Sequence, residues 1–135
     1  MNVPTLDDAR NAVDTMQPVI DAALDRLATV DVDDHQVVAY DIAHAAAAVT
    51  SAGNLLAYGA HGDAEARLTV AFVADVAHDL ATRILGREAE WGVARGALDD
   101  VHAFMAAGRS PELLASLPDG APSHLDEDMQ LAAET

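Results

Sequence analysis

The sequence predicts an all-α protein, an antiparallel four-helix bundle with a short fifth helix and a mobile acidic C-terminal tail. Three observations point there. Alanine, the best helix former, supplies 30 of the 135 residues, and β-branched runs are short. Apolar residues recur at three- and four-residue steps over long segments. Glycines mark most of the boundaries between those segments. Residues 1–117 read as the bundle and 118–135 as an acidic tail or linker.

The first helix begins at Thr5, where Thr5-Leu6-Asp7-Asp8 has the form of a capping box with Asp in place of Glu. Leu6, Val13, Met16, Ile20, Leu24 and Leu27 form its apolar stripe, with Asp7, Asp14, Asp21 and Asp25 off it. Pro18 lies within the stripe and predicts a kink or break, because it cannot donate to the carbonyl of Asp14. Val30 to Asp34 is an acidic connector ending in a cap for the second helix, about His35 to Tyr58. Its inner side is marked by Val38, Ile42, Val49 and Leu56, and Ala45 to Ala48 permit close helix approach.

Gly59 is expected as a left-handed residue closing that helix, and Asp63 as the cap of the third. The third helix runs to about Leu85 with a ridge of Leu68, Phe72, Val76, Leu80 and Ile84. Its polar face carries Asp75, His78, Asp79 and Thr82, and Gly86 ends it. The fourth helix is expected over roughly Arg87 to Ala107, weakened near its start by Gly92 and Gly96. Ser110-Pro111-Glu112 starts the short fifth helix, with Ser at N-cap and Pro at N1. Helices two and three are apolar around much of their circumference. Either they form the central pair or they carry a second interface.

Composition narrows function. The net charge is −16, with no lysine and no cysteine. Thiolate metal sites, disulfides and cysteine nucleophiles are excluded. Nucleic-acid binding needs a basic face that this chain lacks, and the same acidity opposes anionic membrane surfaces. No apolar run reaches membrane-spanning length, and the Met1-Asn2-Val3-Pro4 start lacks the basic and apolar regions of a signal peptide. The expected location is therefore the cytoplasm.

Three Asp-x-x-His pairs, Asp41/His44, Asp75/His78 and Asp99/His102, each share a helix face. Di-iron bundles use Glu-x-x-His in this spacing, so Asp41, His44, Asp75 and His78 are the candidates for an inward metal site. Asp is one methylene shorter than Glu, and the third helix's pair falls on its most polar face. A solvated face is the favoured reading, and a small metal-binding bundle protein is the alternative. No base–nucleophile pairing is visible around His35, His61 or His124, and no catalytic residue is assigned. Arg83, Arg87 and Glu88 beside Trp91 read as an ion-paired corner, with Glu88 and Glu90 the expected partners and Trp91 plugging the bundle end.

The middle of the chain carries a family likeness. Ala52-Gly53-Asn54-Leu55-Leu56-Ala57-Tyr58-Gly59-Ala60 is followed by Glu65-Ala66-Arg67, then by Ala71-Phe72-Val73-Ala74-Asp75-Val76-Ala77-His78-Asp79-Leu80-Ala81 and Ile84-Leu85-Gly86. This resembles the C-terminal helical bundle of the acyl-CoA dehydrogenase family over about residues 36 to 92. Gly86-Arg87-Glu88-Ala89-Glu90-Trp91-Gly92 resembles the helical extension that long bacterial members, of the methylsuccinyl-CoA dehydrogenase-like kind, carry before their catalytic body. The resemblance implies a bundle that packs against other bundles. The family's flavin-contacting Gln-x-x-Gly-Gly is Arg83-Ile84-Leu85-Gly86-Arg87 here, and the catalytic glutamate segment has no counterpart. No family active-site residue is carried over, and the isolated chain is expected to bind no flavin or other cofactor. The expectation is a non-catalytic association or accessory module, partnered by a second copy or by an acyl-CoA dehydrogenase catalytic body.

Overall fold

The computed structural model describes residues 3–124. Three long helices dominate it: α1 (Leu6–Leu27), α2 (Gln36–Gly59) and α3 (Asp63–Ile84). Three short ones follow, α4 (Glu88–Trp91), α5 (His102–Gly108) and α6 (Pro111–Ala115). There is no strand among the described residues. The fold is an all-α bundle, and none of its described helices is long and apolar enough to cross a membrane.

α1 starts as its residues dictate. Thr5 Oγ1 accepts from the Asp8 amide at 3.1 Å, and Asp8 Oδ2 accepts from the Thr5 amide at 2.8 Å. The helix then runs unbroken through Pro18, which faces solvent. Its inner face is built from Ala9, Ala12, Met16, Val19, Ile20 and Ala23, while Leu24, expected inside, is exposed. Alanines therefore bring α1 close to its neighbours, and the larger Leu24 belongs to the outside.

α3 is the central element, packed against α1, α2 and α5. Its buried line is Val70, Val73, Ala77, Leu80 and Ile84, at alternating steps of three and four. The expected ridge used steps of four only, which drift about 40° around the helix each time. Phe72, at the drifted end, is 39% exposed. α2 runs antiparallel to α3. Thr69 Oγ1, which donates to the Glu65 carbonyl at 2.8 Å, lies 3.4 Å from the Leu55 carbonyl near their shared turn, and Arg83 reaches Asp41 at the far end. Unlike α3, α2 is covered on one side only.

Three caps differ from expectation. Asp34 closes a 3₁₀ turn at Val32–Asp34, and His35 is the N-cap of α2, with no side-chain capping bond. Gly59 is the last residue of α2 rather than a left-handed terminator, and it is buried because Leu6 and Thr69 leave no room for a side chain. Gly62, not Asp63, is the N-cap of α3, and Asp63 instead pairs with Arg67 one turn on.

The fourth position of the bundle is filled by a segmented run rather than by one helix. Gly92, at φ 68°, takes the left-handed conformation that ends α4 and could not continue a right-handed helix. The chain turns again at Gly96, passes a 3₁₀ turn at Asp99–Val101 and enters α5. The break turns Trp91 inward, where it is fully buried, while Gly108 of α5 sits directly on Ala74 of α3. Ser110 caps α6, accepting from the Leu113 amide at 3.2 Å, with Pro111 at N1 as the sequence requires.

Residues 118–124, expected to leave the bundle, fold back on the α2–α3 corner. Tyr58 Oη donates to the Pro122 carbonyl at 2.7 Å, and His124 Nε2 lies 2.9 Å from Glu65 Oε2. The acidic tail residues Asp126, Glu127, Asp128 and Glu134 lie outside the described residues.

Candidate association surface

The outer side of α2 departs from the rest of the molecule. Among its 24 residues only Asp41 carries a formal charge, on a chain of net charge −16. Val37, Tyr40, His44, Ala47, Ser51 and Asn54 are all exposed and follow one another at steps of three, four, three, four and three. That spacing places them on one seam, the repeat by which two helices pack at a shallow angle. Val37 and Tyr40 are 66% and 64% exposed. Beside the seam, Gln36, Ala43 and Thr50 are exposed and uncharged.

By contrast, the outer face of α1 carries Asp7, Asp14, Asp21 and Asp25, and that of α3 carries Asp75. The four-alanine run divides between two roles. Ala45 is buried against the core and Ala47 lies in the middle of the seam. The rings of Tyr40 and His44 lie against each other with centroids 4.3 Å apart and planes tilted by 49°.

Asp41, at the seam's edge, is turned aside. Arg83 Nη1 meets Asp41 Oδ1 at 2.7 Å, and Arg87 Nη1 meets Oδ2 at 3.4 Å. Arg83 Nε also donates to Asp79 Oδ2 at 2.8 Å. Burial opposes the charge of Arg83, but the Asp79 hydrogen bond leads the effects that hold its pKa above the ordinary value. The corner is ion-paired as expected, with different partners. Asp79 lies one turn back on the same helix and Asp41 lies across on α2, while Glu88 accepts from the Gly86 amide. Trp91 plugs the core as expected, yet its Nε1 has no hydrogen-bond partner among the described atoms.

The Asp-x-x-His pairs do not converge. Both oxygens of Asp41 are taken by arginines, His44 is on the α2 seam, and Asp75 pairs outward with Arg109 at 3.1 Å. His78 is half-buried on α3, and Asp99 and His102 are exposed near α5. Among the described residues, no group of three His, Asp or Glu side chains is arranged to hold a metal ion.

Sequence reasoning missed one polar cluster. Glu65, in the first turn of α3, is buried and meets His124, whose ring stacks on His61 at 3.9 Å with planes 14° apart. Tyr58 approaches the same ring edge-on at 5.8 Å. The Glu65 backbone amide, then the hydrogen bond from His124, hold the carboxyl below its ordinary pKa. Burial, then the Glu65 charge, pushes the Tyr58 hydroxyl up. The cluster ties the 118–124 segment to the first turn of α3. Tyr58, His61 and Glu65 are close in sequence, but His124 lies 59 residues beyond Glu65, and no local spacing signals that it joins them.

The chain matches no protein-family model, no curated protein and no solved structure.

Proposed function

We propose that this protein is a non-catalytic association module, a helical bundle that docks another helix along the outer face of α2. The observation that carries the reading is the uncharged seam from Val37 to Asn54 on a chain of net charge −16. Interface centres are depleted of charge and enriched in aromatic residues, and Tyr40 and the small residues Ala47 and Ser51 supply both anchorage and close approach. The likeness to acyl-CoA dehydrogenase bundles supports the same class of function, because those bundles assemble side by side. Within that class the partner is a second copy or an acyl-CoA dehydrogenase catalytic body.

Ala47→Arg tests the surface. Ala47 is exposed, so the variant should keep its helical circular dichroism while associating at least about tenfold more weakly, since burying an unpaired charge costs more than about 1.4 kcal/mol. Ala45→Arg is the control. Ala45 is 1% exposed, so this variant should lose the fold instead. Sedimentation of wild type and Ala47→Arg across a concentration series reads the difference. Identical sedimentation of the two, with or without a candidate dehydrogenase body, would remove the reading.

A further inference from the structure

Resting on that association reading, the geometry points to a second copy of this chain as the partner, docked α2 on α2 in antiparallel fashion about a two-fold axis between His44 and Ala47. Charge selects the copy. Each chain carries −16, so contact through the α1 face would set carboxylates against carboxylates. A basic partner would be drawn to those acidic faces and would gain nothing from the neutral seam. The α2 face is where two copies can meet without opposing charges. Its one carboxylate, Asp41, is already occupied by Arg83 and Arg87.

Side-chain size selects the direction. The seam divides into a bulky half, Val37, Tyr40 and His44, and a smaller half, Ala47, Ser51 and Asn54. Run antiparallel about its midpoint, it sets Val37 opposite Asn54, Tyr40 opposite Ser51 and His44 opposite Ala47. Every large side chain then faces a smaller one, which is how closely packed layers interdigitate. Run parallel, Tyr40 would meet Tyr40 and His44 would meet His44, while Ala47 on Ala47 and Ser51 on Ser51 would leave a gap. Antiparallel helix dipoles favour the same choice. The required three-four spacing is present on both helices by identity, and the Tyr40 and His44 rings on it already touch, tilted 49° to each other.

The seam spans about 26 Å at 1.5 Å per residue, long enough for one full helix pair. Such a pair buries on the order of 1,000 Å², at the lower edge of specific interfaces. The expected association is therefore reversible, with a dissociation constant on the order of micromolar, and strengthened by salt that screens the remaining charges.

The absence of cysteine makes the test clean. Val37→Cys and Asn54→Cys are made as separate chains, both at exposed positions. Each is oxidised alone and as an equimolar mixture, and mass spectrometry reads the products. A disulfide needs Cα atoms about 4.4–6.8 Å apart. The expected result is a covalent heterodimer in the mixture and no covalent dimer from either variant alone, because self-linked positions would lie about 26 Å apart in the antiparallel pair. Self-linking of either variant means parallel packing and overturns the proposal. A chain that sediments as a dimer but forms no disulfide in the mixture also overturns it, leaving association through another face. A wild-type chain that stays monomeric at millimolar concentration removes the self-partner, and binding to a dehydrogenase body would then still sustain the association reading.

Discussion

Gly108→Ala tests the claim that α5 is held on α3 by backbone proximity. A Cβ added at Gly108 would lie 2.5 Å from Ala74 Cβ, 3.4 Å from the Val70 carbonyl oxygen and 3.5 Å from Val70 Cγ1. Ordinary carbon–carbon contact is about 3.8 Å, so the new methyl falls about 1.3 Å short. Both clashing carbons are fixed to backbone, and no rotamer change can relieve them. α5 must move away from α3, disturbing the packing of Met105 and Val101. Overpacking of this kind costs about 1–3 kcal/mol. Alanine's helix propensity returns less than about 1 kcal/mol, because Gly108 is the last residue of α5. The net loss should be about 1–2 kcal/mol, a fall in Tm of about 3–8 °C for a domain of this size. The assay is a double-mutant cycle by urea unfolding with Ala74→Gly. Ala74→Gly alone should cost about 1 kcal/mol through propensity and lost packing. The pair together should be less destabilised than the sum of the singles, by about 1 kcal/mol or more. Strict additivity, or a Gly108→Ala protein as stable as wild type, would refute the close approach.

Trp91 offers a second measurement. Trp91→Ala should cost about 3–5 kcal/mol, whereas Trp91→Phe should cost less than about 1.5 kcal/mol, because it keeps most of the volume and removes an unpaired buried N–H. A Trp91→Phe loss as large as that of Trp91→Ala in denaturant unfolding would contradict this reading. Glu65 predicts a pH dependence. Its carboxyl is held below the ordinary value in the folded chain, so its contribution is complete above the unfolded pKa of about 4.3 and disappears as pH falls through the folded value. The stability gap between wild type and Glu65→Gln should close as acid is added below about pH 4.3. A gap that widens in acid would contradict that direction.

Local signals in the sequence located the three long helices well. The Thr5–Asp8 box and the Ser110-Pro111 start depend on side chains reaching only three residues along the chain. The inner faces were harder, because alanine serves inside and outside equally. Ala9, Ala12 and Ala23 line the core while Leu24 is exposed, and within one alanine run Ala45 and Ala47 point opposite ways. The break at Gly92 was visible as a weakness, but whether the chain exploits it depends on a tertiary opportunity, the site that receives Trp91. Of the candidate surface, the small-residue run was legible and the seam was not. Its position depends on α3, rather than α2, taking the centre of the bundle. The partners Asp41 for Arg83 and Glu65 for His124 come from distant segments that only the fold brings together.

The shared pole of the bundle has an architectural consequence. Val3, Pro4, Thr5 and Leu6 line one cleft with Asp63, Ala66, Arg67, Glu112 and Ser116. Arg67 Nη1 donates to the Ser116 carbonyl, and Tyr58 fixes Pro122 at the same corner. The path into α1 and the path out of α6 therefore meet where α2 turns into α3. A short flexible bridge between these two paths would close the chain without crossing the α2 seam. New ends opened in the Val93–Ala97 turn would interrupt none of the long helices, the situation in which rearranged connectivity is best tolerated. The bundle could equally be spliced into a surface loop of a host protein, entering and leaving at one point and projecting its seam outward.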